Sequence, residues 1–410
     1  MEYNVHTLPN GIRLLHVPSA STISHACIIV NTGSRDEPEG KAGLAHFIEH
    51  LIFKRTEKRS TNQILNRLES VGADLNAYTT KEYTCVHASF LNPYLARTLD
   101  LFNDIIFHST FPEEEMDKEK SVILDEIASY LDQPEEAIND DFEDMLFAGN
   151  ALGNNILGTT DSVSNFTRED VINFRKANYR TNEIVIAVLG NYSFNSFVKK
   201  GTKYFVDVEK NTPSLNRVKP DILNPNSTNI YKPIMQSHCI LGRQTYSTHD
   251  ENKAGLMLLN NYFGGNGMSS VLNLQIREKY GIAYTIESNF SPLSDTGIFS
   301  IYFGTDKDKH QKALSLIFKE MKKLQDNPLN ELQLQKAKNK FIGQIALSEE
   351  NRIGLIISMA KSLIDHNKID SLEQVFEKIN KVTTKEIAQI ADEVLAPEQL
   401  NIFTFSPILE

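Results

Sequence analysis

The sequence predicts an α+β fold made of two structurally similar lobes. Three observations carry this. Strand-like runs and longer runs of helical spacing are interleaved through both halves of the 410 residues. The stretch from Asn211 to Thr228 is rich in Asn, Pro and Ser, with Pro213, Pro220 and Pro225, and reads as an extended linker. After it the chain starts again. Lys253-Ala254-Gly255-Leu256 repeats Lys41-Ala42-Gly43-Leu44, 212 residues later, and Ser237-His238 with its following strand echoes Ser24-His25. The expected division is a lobe at 1–210, a linker at 211–228 and a lobe at 229–410.

Composition sets the class. Hydrophobic content of 40% and charged content of 23% fit an ordinary globular protein. The net charge of −11 argues against non-specific nucleic-acid binding, which needs a basic surface. No apolar run approaches the ~18 residues of a membrane span. Met1 to His6 has neither a basic nor an apolar leader region, so the expectation is cytoplasmic; a signal peptide already removed would leave the same start. Cys27, Cys85 and Cys239 stand singly in apolar or alternating contexts and read as reduced core residues.

The first lobe opens with Tyr3 to Pro9 and Ile12 to Val17 on either side of Asn10-Gly11, a hairpin signal. Ser24 to Val30 is a third strand, and Asn31 to Gly40 a polar loop. An apolar helix follows from Gly43 to Phe53. Thr61 to Val71 is helical, with Ser60 or Thr61 as cap. Leu75 to Thr79 and Tyr83 to Leu91 are strands, and Pro93 to Phe107 is a long helix. Phe111 to Glu115 opens the next, with Pro112 in the first turn and three glutamates at the positive helix end. Helices at Glu135 to Ala148, Ser162 to Phe174 and Phe194 to Phe205 enclose a strand at Ile184 to Leu189. In the second lobe, Ser269 to Lys279 is helical, and Ala283 to Ser288 and Ile298 to Phe303 are strands. Helices follow at Asp308 to Leu324, Asn330 to Leu347, Asn351 to Asp365 and Thr383 to Val394. Asn401 to Phe405 is a final strand.

The chemistry gathers at His46-Phe47-Ile48-Glu49-His50. Residues four apart on a helix lie one above the other, so His46 and His50 present their imidazoles to one point. Two such imidazoles are half of a zinc site. Glu49 reaches the same face in the order H-x-x-E-H, placed as a general base that draws a proton from metal-bound water. The surrounding Ala45, Phe47, Ile48, Leu51, Ile52 and Phe53 are apolar, and buried His and Glu without partners are costly. A hydrolytic zinc site needs a third protein ligand. Glu119 and Glu126 are two turns apart, about 10.5 Å along a helix, so both cannot bind one metal. Spacing alone leaves Glu119, Glu126, Asp125 and Glu115 as candidates. At the 212-residue offset His46, Glu49 and His50 fall on Leu258, Asn261 and Tyr262, so the second lobe is a copy without metal ligands.

His46 to His50, with Glu126 at 76 residues beyond His50, resembles the pitrilysin/insulinase family of zinc peptidases, in its processing-peptidase branch. The resemblance also covers Leu75 to Thr79, Val122 to Ile127, Leu152 to Gly158, Met268 to Ser270 and Ile276 to Tyr284. It implies Glu126 as third ligand, one Zn²⁺ per chain, and Glu119 as a carboxylate orienting a ligating imidazole. It implies that Asn76, Ala77 and Tyr78 lie on a strand edge that pairs with extended substrate. It implies that Arg277 and Tyr284 reach the active centre from the metal-free lobe, Tyr284 to stabilise an oxyanion and Arg277 to hold substrate carbonyls. A chain of this length resembles half of the family's clam-shell. Carrying both motif sets favours a homodimer enclosing a chamber for unstructured peptides, with a heterodimer left open. Acidic residues in the region of Glu136 and Asp140 read a substrate arginine in such relatives, which sets a preference for basic peptides against a solvated helix face. Val271 and Asn150-Ala151 depart from frequent Arg and His-Pro; neither touches the metal set. The expected activity is a zinc metalloendopeptidase. The alternatives are a non-catalytic core or assembly subunit of the same fold, or a peptidase active only with a second chain.

Overall fold

The strand signals of the first half assemble into one six-stranded sheet. A computed structural model describes residues 2–408. Its first sheet contains β1 (Asn4–Thr7), β2 (Arg13–Pro18), β3 (Ile23–Val30), β4 (Asp74–Thr79), β5 (Thr84–Leu91) and β6 (Ile184–Gly190) in the order β1-β2-β6-β3-β5-β4. Its second contains β7 (Ser227–Lys232), β8 (Ser237–Thr245), β9 (Ala283–Pro292), β10 (Gly297–Thr305) and β11 (Asn401–Pro407) in the order β7-β11-β8-β10-β9. Set β1 aside, and the two sheets have one topology. In each, the first and last strands in sequence pair in parallel, and every other neighbouring pair is antiparallel. The restart after the linker is a duplicated fold, and the protein is α+β with two similar lobes.

The compact units are not contiguous in sequence. One contains residues up to Ala128, Asn154–Arg217 and Ser348–Ile369; the other contains Ser129–Gly153, Val218–Leu347 and the chain from Asp370. Against a split into 1–210 and 229–410, each half of the sequence therefore contributes a helix to the unit built mainly from the other. The cause is that the strands are apolar at consecutive positions, and side-chain alternation sends these to opposite faces, so both faces of each sheet are apolar. In the first unit, Ala26, Ile28, Val86 and Ile186 face the helices of the first half, while Leu15, Val17, Cys27, Ile29 and Ala187 face the other way. The Arg352–His366 helix covers that second face with Ile356, Ala360 and Leu363. In the second unit the Pro134–Leu146 helix lays Ala137, Ile138 and Phe142 on Ile240, Ile298, Phe403 and Phe405.

Other boundaries move for local reasons. The Asn- and Pro-rich stretch stays irregular only to Asn226, since Ser227 and Thr228 begin β7. The helix expected over Ser162 to Phe174 is two, Thr160–Ser164 and Arg168–Asn178. Thr167 restarts it, accepting from the Asp170 N–H in a capping box. A helix at Leu372–Lys381, capped in the same way by Ser371, adds to those expected. No helix among the described residues is long and apolar enough to cross a membrane.

Candidate metal centre and active site

The motif helix, Leu44–Leu51, is held at its start by residues outside the motif. Its first N–H groups lack intrahelical partners. Gly43 precedes it in the left-handed region, at φ 92°. A Cβ there would lie 2.6 Å from the Leu157 carbonyl oxygen, so only glycine lets the 154–158 segment pack on the helix end. The buried Glu37 carboxylate supplies the missing acceptor, taking the Gly43 N–H at 3.0 Å and the Ala45 N–H at 2.7 Å. Two buried ion pairs anchor the residues just before Glu37, Arg35–Glu82 at 2.6 Å and Asp36–Arg217 at 2.8 Å. They fix the loop that presents the cap.

From that helix His46 and His50 project together, with ring centroids 4.7 Å apart. The Glu113–Leu131 helix, anchored in the core by Met116 and Ile123, brings Glu119 and Glu126 to them. Of the acidic residues that spacing left open, the fold brings Glu126 within reach of both imidazole Nε2 atoms. Glu126 Oε2 lies 3.9 Å from His46 Nε2 and 3.5 Å from His50 Nε2. Glu119, two turns earlier and buried, accepts from His50 Nδ1 at 3.0 Å and pairs with Lys54 at 2.7 Å. A carboxylate partner at Nδ1 orients the ring so that Nε2 faces Glu126. Among the described residues, His46, His50 and Glu126 are the one cluster of His, Cys, Asp and Glu able to hold a metal.

The donor set fits zinc. Tetrahedral bonds of about 2.0–2.2 Å place donors about 3.3–3.6 Å apart, which matches Glu126 to His50 at 3.5 Å and falls a little short of Glu126 to His46 at 3.9 Å. Burial, and then the neighbouring His50, pushes the His46 imidazole down to about 4, so it is a neutral lone-pair donor near neutral pH. Burial pushes Glu49 upward; the Thr79 hydroxyl and His50 oppose this, while Glu126 adds to it. Glu119→Gln is expected to weaken zinc affinity about 10–100-fold, as loss of an orienting partner does. Competition with a graded chelator reads this, and unchanged affinity would remove Glu119 from the site.

Asn76, Ala77 and Tyr78 lie on β4, which pairs only with β5 and leaves its other edge free among the described residues. Ala77 packs toward the motif-helix side and Tyr78 toward the Arg352–His366 side. Arg277, Tyr284, Glu136 and Asp140 belong to the second unit. Arg277 is exposed on a π-helical turn, Asn273–Glu278, that interrupts the helix expected there. Tyr284 is 64% exposed, at the bulge where the β9–β10 register slips between Ala283 and Thr285. Bulges and π-turns re-aim side chains and recur at functional sites. Glu136 is exposed and Asp140 half-buried on the Pro134–Leu146 helix. At the positions offset from the metal site, Leu258 is fully buried and Asn261 donates to Gln344 at 2.7 Å. Glu37 and Thr79 stand in no spacing pattern that marks them for a role. The signal for Glu37 was a helix start with no Ser, Thr, Asp or Asn at its cap position.

Two family models match the chain in tandem. One, described as Insulinase (Peptidase family M16), covers residues 14–160; the other, Peptidase M16 inactive domain, covers residues 165–341. The chain belongs to peptidase family M16. Its M16 relatives include a Bacillus subtilis protein named uncharacterized zinc protease YmxG, 30% identical over 96% of each chain. A Streptomyces coelicolor protein, also named an uncharacterized zinc protease, is 31% identical over 95% of this chain and 86% of its own. Two solved structures share the fold. A protease from Helicobacter pylori has a TM-score of 0.89 at 20% identity over 99% of both chains. A Pseudomonas fluorescens structure described as a peptidase M16 inactive domain has a TM-score of 0.91 at 19% identity, over all of this chain and 99% of that one. His46, Glu49, His50, Glu119 and Glu126 fall in the first matched M16 segment, and Arg277 and Tyr284 in the second.

Proposed function

We propose that this M16 chain is a zinc-dependent endopeptidase that cleaves unstructured peptides, with one zinc per chain held by His46, His50 and Glu126. The observation that carries it is the convergence of those three donors beside Glu49, on a helix whose start is capped by a buried carboxylate. Zinc, when bound, supplies Lewis acidity to the substrate carbonyl. Glu49 takes a proton from the attacking water and passes it to the leaving amine. The free edge of β4 at Asn76, Ala77 and Tyr78 pairs with the extended peptide through main-chain hydrogen bonds, giving affinity with little sequence selectivity. Tyr284 donates to the oxyanion and Arg277 holds substrate carbonyls. Two copies of the chain form a homodimer whose chamber admits only unfolded peptides, each site joining the metal unit of one copy to the Arg277/Tyr284 unit of the other. The presence of both motif sets on one chain supports this arrangement. Glu136 and Asp140 favour basic residues in the peptide.

The test is metal removal. Chelator-stripped protein is expected to lose hydrolysis of an unstructured peptide and to regain it with zinc. Stoichiometric zinc without hydrolysis would favour a non-catalytic assembly subunit. Hydrolysis only after a second chain is added would favour a partner-dependent peptidase. The mass of the active species in the same sample reads the dimer, and matched Arg- and Ala-containing peptides read the basic preference, which equal rates would remove.

A further inference from the structure

We propose that Thr79 is a positioning residue for the general base, fixing which oxygen of Glu49 handles the proton; this rests on the peptidase reading above. The Thr79 hydroxyl donates to Glu49 Oε2 at 2.7 Å. The last torsion of a glutamate is broad and nearly two-fold, so an unrestrained carboxylate samples many orientations. With Oε2 engaged by the hydroxyl, and the Thr79 backbone N–H also bonded to the carboxylate, that torsion is pinned, and Oε1 is the oxygen assigned to the water. The proton leaves the water O–H bond for Oε1 and later moves from Oε1 to the amine nitrogen. It is picked up and delivered by the same atom.

Thr79 is itself held from three directions. It closes β4, where it pairs with Thr84 of β5. Strand alternation places it on the side of Leu75 and Ala77, which pack toward the motif-helix core, while Tyr78 turns to the opposite face. The turn that follows is tied by the Thr80 N–H to the Tyr83 carbonyl at 2.9 Å and by the Tyr83 N–H to the Thr80 hydroxyl at 3.1 Å. A short β-branched side chain on a pinned strand end aims its hydroxyl more sharply than a long polar one would.

Steady-state kinetics of the zinc-loaded protein with Thr79→Val and Thr79→Ser tests this. The valine variant keeps the shape and removes the hydroxyl; the serine variant keeps the hydroxyl. Thr79→Val is expected to lower kcat about ten- to a hundredfold with KM and zinc content unchanged, the scale of a lost hydrogen bond to a charged group. Thr79→Ser is expected to restore most of kcat. In a Glu49→Gln background, Thr79→Val is expected to cost nothing more, because the two residues act as one unit. Wild-type kcat in Thr79→Val, a change in KM alone, no rescue by serine, or an equal loss in the Glu49→Gln background would each overturn the proposal. Glu49-dependent hydrolysis with a normal Thr79→Val variant would overturn it and leave the peptidase reading standing. Absence of Glu49-dependent hydrolysis in the unaltered chain would overturn both.

Discussion

Replacing Glu49 with Gln is expected to lower kcat/KM for an unstructured peptide by about 10²–10⁴-fold, the usual contribution of a positioned general base. Zinc content is expected to stay unchanged. The substitution is nearly isosteric, and the amide oxygen can still accept from Thr79. It leaves His46, His50 and Glu126 with the donor atoms they have now. What it removes is the capacity to take up a proton. The separation of the two readouts matters, because a variant that lost both metal and activity would say nothing about the base. Metal analysis beside peptide kinetics makes the distinction. Undiminished cleavage would mean that a different group takes the proton, and the role of the motif helix would reduce to binding.

The second large effect is on folding and lies far along the chain from the motif. Ile356 is fully buried in the apolar layer between the Arg352–His366 helix and Leu15, Val17, Cys27, Ile29 and Ala187. Ile356→Asp puts an unpaired carboxylate there, and the expected cost is about 3–5 kcal/mol. That is a large share of the ~5–15 kcal/mol that typically holds a domain together. Ile356→Val, which removes one methylene, is expected to cost about 0.5–1.5 kcal/mol. Urea unfolding followed by circular dichroism reads both. A fragment ending at residue 210 extends the same argument. It contains all six strands of the first sheet and the candidate metal cluster of His46, His50 and Glu126, yet lacks the helix that covers one sheet face. It is expected to aggregate or stay loosely packed, whereas a well-folded fragment would show that the Arg352–His366 helix is dispensable.

Much of this was legible in the sequence, and the reason is periodicity. His46, Glu49 and His50 are chemistry written at helical spacing, so local structure alone brings them together. The repeat at Lys253 to Leu256 announced the duplicated fold because copies keep their order of elements. Glu126 is different. Chemistry limited the third ligand to a few acidic residues, but only the packing of Met116 and Ile123 sets which turn of that helix meets the histidines. Glu37 and Thr79 were invisible because each acts across a loop or a strand end, where no spacing rule applies. The exchanged helices were equally hidden. The apolar stripe of Asn351 to Asp365 reads clearly as a helix, but a stripe does not name the sheet it covers.

The three cysteines give the chain a reporter of its own. Cys27 and Cys85 face the layer beneath the Arg352–His366 helix, and Cys239 sits in the core of the second unit; all are fully buried. Burial also pushes the Cys239 thiol up to about 12, which suppresses the reactive thiolate. A thiol reagent can therefore modify them only as often as each unit opens. Labelling rates followed residue by residue would clock the breathing of the two units separately, in a protein carrying no added probe and no substitution.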